Sequence, residues 1–148
     1  MKKILLTVTL PFIVMGTFGC SSGAYSYEEA IKRGDVVYQV DVANLDKFEQ
    51  FLMNISRKKV DTIRVTGYTN EGDPIFQDLK FDGKAIQYTY DNSNDAYAGK
   101  DEAIEKAVCT EIIKKENEQA KVEYIVSGCS TGNDRVLIRV EKDRLKHD

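Results

Sequence analysis

The chain has 148 residues, 42% apolar and 30% charged, with 21 basic against 24 acidic side chains and a formal charge of −3. That mixture excludes a disordered chain. It also offers no basic stripe for a phosphate backbone, since the short basic clusters are Arg57-Lys58-Lys59 and Lys114-Lys115, so nucleic acid is not an expected partner.

In chain order the first feature is Lys2-Lys3, then an uncharged, mostly apolar run over residues 4–18, then Gly19-Cys20-Ser21-Ser22-Gly23. This is the order of a signal peptide. The run is short of the roughly 20 apolar residues a spanning helix needs, and Pro11 interrupts it. Gly19-Cys20-Ser21-Ser22-Gly23 resembles the end of a bacterial lipoprotein signal, in which the cysteine is lipidated and becomes the first residue after cleavage. Thr17 and Phe18 depart from the Leu and small residue usual at those positions. A cut after Ala24, with Ser22 and Ala24 as the small recognition residues, is the alternative and leads to secretion. The expectation is a signal peptide over 1–19, a tether over 20–25 lipid-anchored through Cys20, and one domain over 26–148. That domain sits on the outer face of the cell membrane, or is secreted. Without residues 1–19 the chain keeps 129 residues and, having lost Lys2 and Lys3, a formal charge of −5. This length suits a single domain.

Ser26 and Glu29 form a capping-box pattern and Gly34 a stop, predicting a short helix over 27–33. Val36, Val37, Tyr38 and Val40 form an extended connector or an edge strand. Asn44 is a second N-cap candidate, and Leu45, Phe48, Phe51, Leu52 and Ile55 give an amphipathic helix over 45–58. Arg57, Lys58 and Lys59 fall near its end, where the helix dipole favours cations. From Asp61 the period becomes two, a strand with Ile63, Val65 and Gly67 on one face. Asp82-Gly83 predicts a hairpin between residues 75–81 and 84–90. A two-residue turn there sets Phe81 opposite Lys84 and Leu79 opposite Ile86, with Ile75, Leu79, Phe81, Ile86, Tyr88 and Tyr90 on the core face. Residues 101–108 add a short helix on Ile104 and Val108. Strands over 110–115 and 122–127 flank a turn at 117–120, and Val136, Ile138 and Val140 form a last strand before a charged tail. No internal repeat or low-complexity tract occurs.

Once Cys20 is set aside, Cys109 and Cys129 remain, in a compartment where disulfides persist. Pairing Glu116 with Val122 across the 117–120 turn brings Cys109 directly opposite Cys129, and a disulfide is expected between them. No histidine or second CxxC supports zinc. Cys129 as a nucleophile would lack a base, and the one histidine, His147, lies in the charged tail. No G-x-S-x-G elbow or phosphate loop is present.

No cofactor is expected apart from a calcium candidate. Asp91, Ser93, Asp95 and Glu102 fall at positions one, three, five and twelve of an EF-hand-like loop, against which Ala96 replaces the turning glycine and the preceding segment reads as strand. An Asx-rich turn is the structural alternative. Among eight tyrosines, Tyr68 and Tyr97 stand in polar surroundings and are the candidates for a surface aromatic site for a glycan or an envelope protein. Tyr88 and Tyr90 belong to the sheet core.

The stretches of residues 72–79 and 88–95 and the triplet Ser127-Gly128-Cys129 are similar to a family of small lipoproteins from spore-forming Gram-positive bacteria, classed as a domain of unknown function. The resemblance spans about 35–141 and implies location and fold, with no catalytic residues to carry over. The expected architecture is α+β: one or two N-terminal helices packed on an antiparallel β-meander of five or six strands. The expected function is a non-enzymatic binding or interaction module of the cell envelope. The alternative is a hydrolase of envelope substrates working with two carboxylates.

Overall fold

The computed structural model describes residues 25–39, 41–97, 103–119 and 121–145. Residues 1–24, which include the expected signal segment and Cys20, lie outside them, as does Glu102. The described residues form an α+β domain of two α-helices and nine strands in two sheets.

Helix α1 (Tyr27–Arg33) begins where Ser26 Oγ accepts the Glu29 N–H at 3.2 Å and ends at Gly34, whose φ of 98° suits a residue without Cβ. Only half of the capping box forms, because the Glu29 carboxylate turns forward to Arg33. Strand β1 (Val36–Tyr38) then pairs with β2 (Val42–Ala43) on one side and runs parallel to β3 (Asp61–Tyr68) on the other. It is therefore an interior strand, not an edge. Helix α2 (Leu45–Ser56) connects these strands. Asn44 does not cap it; its side-chain amide donates instead to the carbonyls of Ile31 and Asp35, tying α1 and β1 to the start of α2. Arg57, Lys58 and Lys59 lie beyond the helix, with Lys58 in the left-handed region at φ 53°.

Strands β3, β4 (Pro74–Phe81), β5 (Ile86–Asp91) and β6 (Ile104–Cys109) form an antiparallel run, giving a mixed sheet in the order β2-β1-β3-β4-β5-β6. The β4–β5 register is two residues from the one expected: Phe81 faces Ile86 and Leu79 faces Tyr88. The Asp82 carboxylate accepts the N–H groups of Lys84 and Ala85, which closes the turn one position later. A slip of this size leaves every side chain on its predicted face. The helix expected over residues 101–108 is replaced by β6, where Ile104 and Val108 lie exposed on the outer face and Ala107 and Cys109 are buried. A four-residue spacing fits one face of a strand as well as one face of a helix, so that pair did not discriminate.

The second sheet holds β7 (Glu111–Glu116), β8 (Lys121–Ser127) and β9 (Arg135–Glu141), with Glu116 opposite Val122 as expected. Cys109, ending β6, is disulfide-bonded to Cys129 after β8, so the bridge joins the two sheets. Gly128 beside it has φ 64°, and a Cβ there would run into the Thr110 side chain.

The core joins α2 and both sheets, with Phe48 and Phe51 of α2 fully buried beside Ile63, Val65, Leu79 and Phe81. Phe48 meets Tyr124 of β8 edge-on at 5.1 Å. On the other face of the large sheet Tyr25 stands edge-on to Phe76 at 5.1 Å, and Tyr27 lies beside Tyr68. No helix among the described residues is long and apolar enough to cross a membrane.

Candidate functional site

Two of the grooves along the large sheet gather polar side chains from more than one element. The first, about 730 Å³, lies between α2 and the start of β3 and includes Asp35, Asp46, Lys47, Glu49, Asp61 and Arg64 among its walls. The short β1 pairs only with Val65, Thr66 and Gly67, so nothing in the sheet covers this side of β3 before Val65. Its buried carboxylate is Asp35, whose Oδ2 accepts the hydroxyls of Tyr25 at 2.7 Å and Thr66 at 2.6 Å. That contact, together with burial, raises the Tyr25 pKa, burial being the larger cause. Asp61 accepts from the side-chain amide of Asn54, itself buried, and from the Thr62 N–H. Arg64 is clamped by both oxygens of Asp78 and lies 4.6 Å over the Phe76 ring. The Asp78 contacts push the Arg64 guanidinium further above its already high pKa.

The second groove, about 570 Å³, opens between the sheets. Tyr38, Gln39, Tyr68, Asn70, Ile75, Gln77 and Tyr90 come from the large sheet and its loops, and Val136, Leu137 and Arg139 from β9. The alternation of β4 and β5 turns Gln77 and Tyr90 inward, opposite one another. Tyr88 donates to Gln77 Oε1 at 2.7 Å, and Gln77 Nε2 reaches the Val136 carbonyl at 3.4 Å, so this amide is oriented before any ligand arrives. Burial raises the Tyr88 pKa, which keeps its hydroxyl a donor. Arg135 lies 4.2 Å over the Tyr90 ring and pairs with Glu105. The Glu105 carboxyl is held below its ordinary pKa, chiefly by that hydrogen bond. Arg139 donates to Glu123 at 2.7 Å and to the Tyr38 hydroxyl at 3.4 Å, which leaves guanidinium donors over. Gln39 and Asn70 present exposed amides. No Asp or Glu is among the described residues lining this groove.

The residues singled out from the sequence fall in several places. Tyr68 lines the second groove, but its hydroxyl donates to the Tyr25 carbonyl at 2.9 Å, and burial pushes its pKa up to about 12. Tyr97 is 82% exposed in a separate turn. Asp91 ends β5, and Ser93 and Asp95 sit in the turn that follows: Asp91 Oδ1 accepts from the Ser93 N–H and hydroxyl, and Asp95 Oδ1 from the Tyr97 N–H. Their fourth expected partner, Glu102, lies outside the described residues, as does the lipidation candidate Cys20. Among the described residues no group of three or more His, Cys, Asp or Glu is placed to hold a metal ion.

Sequence reasoning missed Tyr38, Gln39, Gln77 and Arg139. Reading residues 36–40 as a connector or an edge strand, when β1 is an interior strand, kept the first two from being placed on a groove. Gln77 alone carried a signal, as a polar residue on the predicted core face of β4.

A family model described as a domain of unknown function (DUF4362) matches residues 33–125. The matched span runs from the end of α1 into β8, so Cys129 and the β9 wall of the second groove lie past it. The match carries no statement about lipidation or source. Neither a curated protein nor a solved structure matches the chain.

Proposed function

Because the chain belongs to the family described as a domain of unknown function (DUF4362), which supplies no activity, we propose its role from geometry: a non-enzymatic binding module whose ligand enters the groove between the sheets. The observation that carries this is the make-up of that groove. The rings of Tyr38 and Tyr90, three side-chain amides and one arginine line an open cleft, and no Asp or Glu is among the described residues lining it. Such a set suits a hydroxyl-rich glycan, which takes ring faces for its apolar patches and amides for its hydroxyls.

The module is exported and held at the outer face of the membrane by a lipid on Cys20. Support for this comes from the signal-like order of residues 1–23 and from the disulfide, which persists in an oxidising compartment. Mass spectrometry of the mature N-terminus tests it: a lipidated Cys20 is expected, and a lipid-free chain beginning at Tyr25 would make the protein secreted.

The binding reading is tested with soluble peptidoglycan fragments as the probe in an amide-resolved NMR titration. Shifts should cluster on Gln39, Gln77 and Arg139 and vanish in Tyr38→Ala. A second reading, a carboxylate hydrolase, is favoured by one observation: Asp35, Asp46, Glu49 and Asp61 all line the α2–β3 groove. Solubilisation of purified cell wall that is lost in Asp46→Asn/Glu49→Gln would establish it.

A further inference from the structure

A third feature lies at the end of the first groove and shares Met53 with its wall. The loop after α2 carries Arg57, Lys58 and Lys59, all exposed. The β4–β5 turn rests against it, since a Cβ on Gly83 would lie 3.5 Å from the Lys58 carbonyl oxygen, and this places Lys84 beside the three. Lys80, exposed opposite Thr62 on the other face of β4 from Leu79 and Phe81, adds a fifth cation at the rim of this end of the sheet. None of the five has an ion-pair partner among the described residues; Lys32, Lys47, Lys106, Lys114 and Lys115 share that state singly or as a pair, whereas every arginine but Arg57 is paired.

The acidic residues on the same turns are engaged by the fold itself. Asp61 takes Asn54, and Asp82 takes two backbone N–H groups, which hold its carboxyl below its ordinary pKa. Two of the chain's exposed large apolar side chains stand in the same patch: Val60, 61% exposed, directly follows Lys59, and Met53, 40% exposed, is one helical turn before Arg57.

The dipole of α2 accounts for cations at its carboxyl end. It does not account for Lys84 and Lys80, which come from the hairpin, nor for apolar side chains left in water among them. The overall charge of the chain is negative, so this positive end is a local reversal.

We propose that this end of the molecule docks on an anionic lipid bilayer, with the five cations against the headgroups and Val60 and Met53 entering the interface. A soluble polyanion would use the cations and gain nothing from the apolar pair, which is why a bilayer is the better complement. The proposal does not depend on the groove between the sheets or on lipidation.

The test is sedimentation of the full chain with vesicles of phosphatidylcholine alone or with phosphatidylglycerol added. The apolar segment at residues 4–18 is common to every variant compared. Arg57→Gln/Lys59→Gln/Lys84→Gln should lower partition onto the anionic vesicles by about 100-fold, from roughly fivefold per cation, and leave the neutral vesicles unaffected. Lys32→Gln/Lys114→Gln/Lys115→Gln, with the same loss of charge elsewhere, should change it less than about threefold. Val60→Ser should weaken binding to anionic vesicles further. Thermal midpoints near that of the wild type would show that each variant is folded. Equal losses in the two triple variants would overturn the proposal. So would binding indifferent to Val60→Ser but competed away by polyphosphate, which would assign the patch to a soluble polyanion.

Discussion

In the groove between α2 and β3 the polar groups mostly serve the fold, whereas in the groove between the sheets they are oriented but left open. Asp35 is consumed by Tyr25 and Thr66, and Asp61 by Asn54 and its neighbour's N–H. Across the sheet, Gln77 and Arg139 are steered by Tyr88, Glu123 and Tyr38, and Gln39 and Asn70 stand exposed. A carboxylate that accepts two hydrogen bonds from the fold around it is a strut. Gln77 is a recognition element: it is held at both ends, its oxygen by Tyr88 and its Nε2 by the Val136 carbonyl, and keeps one N–H and one lone pair for a ligand, so little ordering is left to do when one arrives. Residue type alone points the other way, since four acids in a cleft look more like chemistry than a few tyrosines and amides.

Substitutions separate the two regions, and the largest effect should come from the element common to both. Phe48→Ala empties the contact of α2 with Tyr124 and should cost about 4 kcal/mol in urea unfolding, loosening both grooves together. Replacing Cys109 and Cys129 by Ser should cost about 3 kcal/mol. Since the bridge joins the sheets, the double variant should also weaken ligand binding between them while hydrogen exchange around Asn54 and Asp61 stays as it was. Thr66→Val, on the opposite face, removes one of two donors from the buried Asp35 and should cost about 2 kcal/mol with no loss of binding. If Thr66→Val instead reduced binding as much as the disulfide variant, the division between strut and recognition element would fail.

A smaller, pH-dependent effect belongs to Tyr68. Burial holds its hydroxyl up to about 12 from an ordinary 10.0, so the folded chain keeps a proton that the unfolded chain gives up. Its contribution is complete below pH 10 and is lost as the pH climbs through that range toward 12. The thermal midpoint of the wild type should therefore fall over this interval, with a shallower slope in Tyr68→Phe. The smallest effect on stability should come from Tyr38→Phe. It removes only a 3.4 Å contact from Arg139 and should shift unfolding by less than about 0.5 kcal/mol while weakening a ligand that uses the hydroxyl.

Where one face of a segment is buried, the sequence was readable. The alternation at Ile63 and Val65, the helical spacing from Leu45 to Ile55 and the Glu116–Val122 register that foretold the disulfide all rest on contrast between two faces. The slip at Asp82-Gly83 shows what such contrast leaves open: a shift by two residues preserves every face, so face assignment survives while the partners change. Strand β1 had no contrast to show, because Val36 and Val37 are both fully buried, one toward each side of the sheet. Taking β1 for a connector or an edge strand left Tyr38 and Gln39 unplaced, and with them one wall of the groove. The other wall required knowing that β9 faces β4, a contact between residues about 60 apart that no local pattern encodes.

The central claim, that the cleft between the sheets is the recognition site, is tested most directly by the NMR titration with soluble peptidoglycan fragments. The account predicts saturable shifts on Gln39, Gln77, Tyr90 and Arg139 that disappear in Tyr38→Ala. Shifts confined to Asp46, Glu49 and Asp61, or none at any of these residues, would contradict it.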